Sequence, residues 1–337
     1  MYDIITFGSA TKDTFLKAKD FKTIKGKQFV TGKGVCFNLG SKVEIKEIMF
    51  SSGGGGTNTA ATFAKQGFKV AYCGAVGDDL AGNEIIQELG GLGIETRLIK
   101  KTDIEPTNHS IVISGVGEDR TILVYRGASE HLKKKDIPWA SLKTKWIYIA
   151  PLSGELCGVF GDLIDFAVKN KIRIALNPGS CQLMLPSKVL RRALSKVDIL
   201  ILNQEEASLL TKIPYAKEKE IFKKIDDICP GIAIMTKGDK GVVLSDGQYL
   251  YRAKTLKTNV INRTGAGDSF GSGFVAGFIQ TNGDIVAAAQ FGTANASACL
   301  SELGSKTGLL KKGKKFVKVM VTKEECQKNG LCQCKVC

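Results

Sequence analysis

Hydrophobic positions in this chain cluster in short, nearly unbroken runs. Residues 70–76, 146–150, 172–176, 199–202 and 232–236 are of this kind. They are strand-sized, and the lack of polar alternation predicts strands covered on both faces. Segments of helical length stand between and beside them, at 57–66, 83–92, 156–169 and 217–228. Buried strands alternating with helices predict a parallel, doubly wound α/β sheet. Ligands in such sheets bind at the carboxyl ends of the strands.

Two regions keep a different rhythm. From about residue 15 to 49, and again over 110–116 and 120–125, apolar and polar positions alternate with period two. That is the pattern of half-buried antiparallel strands. The two regions are expected to form one small sheet standing off the main body, the second folding back across Gly117-Glu118-Asp119. A first strand is expected at 4–8. The main domain is expected to span 1–310. The Lys- and Cys-rich remainder, 311–337, should supply one last strand at 316–321 and then fray.

Composition narrows the class. A chain of 337 residues can bury a sizeable core, and 43% hydrophobic with 24% charged residues is ordinary for a globular protein. No apolar run approaches the ~18 residues of a membrane helix. Met1-Tyr-Asp-Ile-Ile5 reads as the start of a strand rather than a secretory signal, so a soluble, cytoplasmic protein is expected. The net charge is +15, but only 8 of the 48 cationic residues are Arg and the Lys are spread along the chain. This suits a solvated surface that attracts anionic substrates such as nucleotides better than a face that reads nucleic acid. Ten Cys over this length do not make a disulfide framework, and Cys73 sits in a core strand. Cys326, Cys332, Cys334 and Cys337 stand close together at the end. Only the last two have a metal-knuckle spacing, which leaves a metal site and an oxidation-prone tail both open.

The strongest candidate chemistry lies in Asn262-Arg263-Thr264-Gly265-Ala266-Gly267-Asp268, which leads into a helix. The glycines let the backbone turn tightly and approach a ligand. Backbone N–H groups at a helix start form an anion site, and Asp268 would stand beside it as a proton acceptor or merely as a cap. Gly267-Asp-Ser269-Phe-Gly271 also fits the nucleophile elbow of serine hydrolases. That reading needs a His downstream, whereas His109 and His131 both lie upstream and read as exposed surface residues. A second constellation is Ser51-Ser52-Gly53-Gly54-Gly55-Gly56-Thr57-Asn58, a glycine loop feeding a helix without the Lys of a P-loop.

These two glycine signatures, in this order, resemble those of the ribokinase-like (PfkB) carbohydrate kinases, and the likeness covers about residues 1–310. Asp13 matches that family's substrate-binding acid, and with Gly54, Gly55 and Asn58 it implies the acceptor site. Asn203-Gln-Glu-Glu206 matches an Asn-x-x-Glu motif that serves magnesium and phosphate. Thr236-Lys237-Gly238, with Gly241, matches the nucleotide-side turn, and Asn295 with the 304–308 loop matches the adenine-side segment. The resemblance implies a three-layer α/β/α sandwich with a β-sheet lid at about 15–49 and 110–125. It implies transfer of the ATP γ-phosphoryl group to a sugar alcohol. Asp268 would take the hydroxyl proton, and Gly265, Ala266 and Gly267 would hold the developing charge. Mg²⁺ would be held near Asn203 and Glu206 through water.

A nucleoside kinase on the same scaffold would use the same Asp268 and glycine loops. Phe37, Phe50, Tyr125 and Arg126 suit either substrate. Many members of the family that this chain resembles have an acidic residue at the Asn262 position, and in some of them that acid helps a monovalent-cation site. Asn262-Arg263 departs from that pattern, which leaves a potassium requirement open and gives Arg263 either a phosphate contact or a surface place. The partners implied are a small sugar or nucleoside, without nucleic acid or membrane, and a second copy of the chain joined through the lid.

Overall fold

The computed structural model describes residues 1–18, 22–27, 29, 32–114, 120–325 and 334–336. β1 (Tyr2–Phe7) lies inside the main sheet, its last four residues buried. On one side it pairs parallel with β6 (Val70–Gly77), and β6 with β7 (Ile99–Thr102). On the other side β10 (Thr144–Ile149), β11 (Arg173–Leu176), β12 (Ile199–Asn203) and β13 (Ile232–Thr236) follow, all parallel. β6 is buried at every position, and β10, β11, β12 and β13 almost throughout. The five apolar runs of the sequence are five of these strands.

The sheet is not parallel to its end, which corrects the reading from the sequence. β14 (Val242–Ser245), β15 (Tyr249–Ala253), β16 (Val321–Glu325) and β17 (Cys334–Val336) continue it antiparallel. The connections explain this. Only a few residues link β13 to β14 and β14 to β15, turning at Gly238, Gly241 and Gly247 with positive φ. A parallel neighbour needs a crossover of a dozen residues or more.

Helices cover both faces and complete three layers. α1 (Gly55–Lys65), α2 (Leu80–Gly91), α9 (Ala266–Gln280) and α10 (Ile285–Leu300) build one core, in which Phe63, Leu89 and Phe274 are buried. α4 (Phe160–Lys169), α6 (Ser187–Leu194), α7 (Gln204–Thr211) and α8 (Glu218–Asp226) build the other, around Phe160, Leu194 and Phe222. The helix expected at 156–169 is split at Val159 into α3 (Gly154–Gly158) and α4. Cys157 of α3 is disulfide-bonded to Cys181 of α5 (Ser180–Leu183), while Cys73, Cys229 and Cys299 are buried thiols. None of the described helices is long and apolar enough to cross a membrane.

The two alternating regions do share a second sheet, in the order β5 (Ile45–Gly53), β2 (Thr11–Ala18), β8 (Asn108–Ser114), β9 (Arg120–Tyr125). Between β2 and β5, β3 (Lys22–Lys25) and β4 (Lys33–Cys36) pair with each other as a separate hairpin. The turn expected at 117–119 lies outside the described residues, as do Cys326, Cys332 and Cys337.

The last expected strand is displaced. No strand forms at 316–320, where Phe316 packs edge-on against Phe291 of α10, 5.4 Å between ring centres. The chain reaches the sheet only at β16, which pairs with β15 from Val321 to Glu325. There Val321 is buried and Glu324 accepts hydrogen bonds from Arg252 and Lys219. Truncation after Glu325 should therefore leave the melting temperature within about 2 °C of the parent. Truncation after Met320 should lower it by roughly 4 °C or more, given ~1.5–3 kcal/mol for burying a Val side chain and about 2 °C per kcal/mol in a long chain. Scanning calorimetry of the two truncations checks this.

Candidate functional site

β5 ends at Gly53 and runs directly into α1, so the root of the small sheet and the first helix of the body share one loop. Asp13 of β2 stands opposite Ser51 and is only 4% exposed. A Cβ on Gly53 would lie 2.2 Å from Asp13 Oδ2, so the carboxylate can sit there only against a glycine. Burial pushes the Asp13 carboxyl above the usual carboxylate range, against a hydrogen bond from Ser110. Gly54 precedes α1 and Gly55 opens it, facing Ala150, Pro151 and Asp268 Oδ1.

The second loop faces the first. Gly265, at φ 78°, turns the chain into α9, and a Cβ there would lie 2.6 Å from Ser305 Cβ. The first intrahelical bond runs from Ser269 N to Gly265 O, 2.8 Å. The amides of Ala266, Gly267 and Asp268 precede it, so the helix leaves them for an outside acceptor, and the helix dipole favours an anion. Asp268 Oδ2 accepts a 2.8 Å hydrogen bond from Asn58 Nδ2, joining segments 210 residues apart. Asn58 is 4% exposed, and its Oδ1 has no partner among the described residues. Burial also raises the Asp268 carboxyl, while Asn58 and the Lys306 ammonium pull it down.

A cavity of about 650 Å³ opens beside the amide cradle, within the size range of small-molecule pockets. Arg263, Ala266 and Gly267 stand at one end, and Thr236, Gly238 and Gly241 line it. Val242, Leu256, Phe270 and Leu300 give apolar walls. The cavity can take a ligand with a flat apolar part and an anionic part.

Two residues expected here are elsewhere. Lys237 turns its ammonium to Glu218 at 2.6 Å and does not line the cavity. Asn295 is fully buried on the opposite side of α10, bonded to Ser269 O at 2.8 Å and to Leu310 N at 3.0 Å. Thr293, Ala296, Ser297 and Leu300 occupy the cavity face of that helix instead. Helical period puts 295 away from the face that carries 293, 296 and 297.

Asn203 and Glu206 form a capping box at the start of α7. Asn203 Oδ1 accepts from Glu206 N and Glu206 Oε2 from Asn203 N, both at 2.8 Å. Asn203 has thus used its oxygen on the helix and does not fit direct metal ligation. Glu206, whose carboxyl is raised chiefly by burial, fits a water-mediated hold on a hydrated cation. No group of three or more His, Cys, Asp or Glu among the described residues is arranged for a metal ion.

Two further cations reach the site, neither named as a site residue from the sequence. Arg120 of β9 donates to Asn262 Oδ1 and Thr264 Oγ1, both at 3.0 Å, just before the Gly265 turn. Those side-chain oxygens hold a guanidinium and do not fit a bound monovalent cation. Lys306, 5% exposed, donates to Ser52 Oγ. Arg120 carries no sequence signal beyond being one cation among 48, and Lys306 none beyond its place in the 304–308 loop, which lines no part of the cavity. The hydrolase arrangement does not form. Ser269 is 1% exposed inside α9, and His109 bonds Thr14 Oγ1 at 2.8 Å. Both His109 and His131 are half-buried rather than exposed.

Residues 31–312 match the family described as pfkB family carbohydrate kinase. The deoxyribokinase of Salmonella typhi is 27% identical over 254 residues, 74% of this chain and 81% of that protein. The ribokinase of Haemophilus influenzae is 27% identical over 263 residues, 76% and 83%. The structure of Arabidopsis thaliana ribokinase complexed with ribose and ATP superposes with a TM-score of 0.75 at 21% identity, covering 92% of this chain and 96% of that one.

The Gly265 turn yields a direct test. Gly265→Ala forces a side chain into the left-handed region, at roughly 1–2 kcal/mol, and against Ser305. Urea unfolding should show a lower midpoint with an unchanged slope.

Proposed function

The chain belongs to the pfkB family of carbohydrate kinases, and from that premise we propose how its cleft moves the γ-phosphoryl group of ATP to a hydroxyl of a small sugar. The fold is the ribokinase-like α/β/α sandwich. The reading is carried by the Asn58–Asp268 contact, which holds a carboxylate directly beside a cradle of helix-start amides. The sugar lies over Gly53, Gly54 and Gly55, with Asp13 accepting from its hydroxyls and the free Asn58 Oδ1 taking another. ATP fills the cavity with its base between Val242, Leu256 and Leu300 and its phosphates toward Gly265–Gly267. Relatives named for ribose and deoxyribose support a pentose acceptor.

A sugar hydroxyl is a poor nucleophile while it keeps its proton. Asp268 accepts that proton as the new P–O bond forms, and the amides of Ala266 and Gly267 stabilise the charge on the transferring group. Asn58 fixes which Asp268 oxygen is spent on the protein, leaving Oδ1, on the Gly55 side, for the substrate. Mg²⁺, held through water by Glu206, would neutralise phosphate charge when bound. Thr236 and Gly238 shape the nucleotide side of the cavity, whereas Lys237 and Asn295 act only through the scaffold. Use of ATP supports a cytoplasmic setting.

The lid also supports a homodimer. By cross-strand register Ile48, Phe50 and Leu123 lie on the lid face opposite Asp13, and all three are exposed. In sedimentation, Leu123→Lys should shift a dimer toward monomer.

Coupled ADP release against a panel of sugars and nucleosides tests the function itself. Turnover with nucleosides alone would move the reading to a nucleoside kinase. Asp268→Asn keeps the size and the cap but cannot take a proton, so turnover should fall by ~10²–10⁴ with ATP binding intact. Ser269→Ala should stay near the parent. The reverse order would end the kinase mechanism.

A further inference from the structure

Lys306 lies in the loop between α10 and the C-terminal strands, beneath the cleft. A buried charge persists only when it is paired, and three carboxylates act on this ammonium. They are Glu88 of α2, 3.8 Å away, Asp13 of β2 and Asp268 of α9. Its hydrogen bond goes to Ser52 at the root of the lid, and Ser52 in turn donates to Glu88. Other titratable groups surround this cluster. Lys65 of α1 donates to the carbonyls of Lys306 and Thr307, His109 of β8 acts on Asp13, Glu206 at α7 feels Asp268, and Cys299 of α10 faces Asp268 and Lys65.

The loop around Lys306 touches both halves of the cleft. A Cβ on Gly304 would lie 2.8 Å from Ser51 Oγ on the lid side, and Ser305 packs against Gly265 on the cradle side. We propose that Lys306 is a positioning residue for phosphoryl transfer: its buried ammonium balances the carboxylates of Asp13 and Asp268 and ties the lid root at Ser52 to the loop behind Gly265. This rests on the reading of Asp268 as proton acceptor.

The charge balance sets a pH dependence at both ends. Asp268 works ionised, burial opposes that state, and Lys306 is the cation acting in its favour. Removing the cation therefore moves Asp268 ionisation, and the acid limb of the rate, to higher pH. Lys306 works protonated, and burial pushes its ammonium down to about 8. Activity should accordingly fall on the alkaline side as that proton leaves.

The test is the pH profile of kcat/KM for the full chain, Lys306→Met and Lys306→Arg, with thermal unfolding in parallel. Lys306→Met should raise the acid limb by about one pH unit and lose the alkaline fall near pH 8. Lys306→Arg should keep the parent acid limb and also lose the alkaline fall, because a guanidinium does not titrate there. Should Lys306→Met fail to fold with Glu88 left unpaired, Lys306→Met/Glu88→Gln removes that charge and should show the same shift. A lysine that only supports the fold would lower stability and scale the rate equally at all pH values, and unshifted limbs would overturn the proposal. Absence of turnover in the parent on every sugar and nucleoside would instead overturn the kinase reading beneath it.

Discussion

A carboxylate whose charge is opposed by burial sets the terms for this molecule. Asp268 stands at the start of α9, where the dipole of its own helix and the amide of Asn58 favour the charge while burial disfavours it. Around that conflict the cleft collects groups of defined sign. Asn58 occupies one oxygen, Lys306 supplies a positive charge from below, and the amides before Ser269 are left open by their helix. Small residues make the assembly sterically feasible. Gly55 leaves room beside Asp268, and Gly53 leaves room beside Asp13.

The sheet topology delivers these groups to one edge. α1 follows a strand of the lid rather than of the main sheet, so the loop at Gly53–Gly55 belongs to both bodies at once. Arg120 from the far strand of the lid reaches Asn262 and Thr264, and Lys306 reaches Ser52 at the lid's near strand. The lid is thereby tied by cations to both sides of the cradle.

Much of this was legible in the chain. The buried strands were visible because a strand covered on both faces has no polar alternation to hide it, and the lid was visible because its alternation persists. The glycine loops and Asp268 stood out because tight turns admit few residue types. Less was legible where a helix face or a salt bridge decided the outcome. Asn295 lies on the helix that walls the cavity but faces the core, and Lys237 lies on the turn beside the cavity but bonds Glu218. The antiparallel end of the sheet was not legible, because the short segments of β14 and β15 are not set off by α-helices and the sequence pattern does not encode strand direction, and Phe316 packs on α10 instead of the sheet edge.

The sequence by itself determined the layer architecture, the two glycine turns, the acid between them and the family they resemble. These are local properties, set by backbone freedom and by the period with which apolar side chains recur. Only the tertiary structure decided which charges meet. Arg120 finding Asn262, Lys306 finding Ser52 and Glu88, and Asn58 finding Asp268 each join residues distant in the chain. A lysine bound for a buried cluster reads in the chain like any lysine bound for water. The difference is its solvation and its partners, and those exist only once the chain has folded.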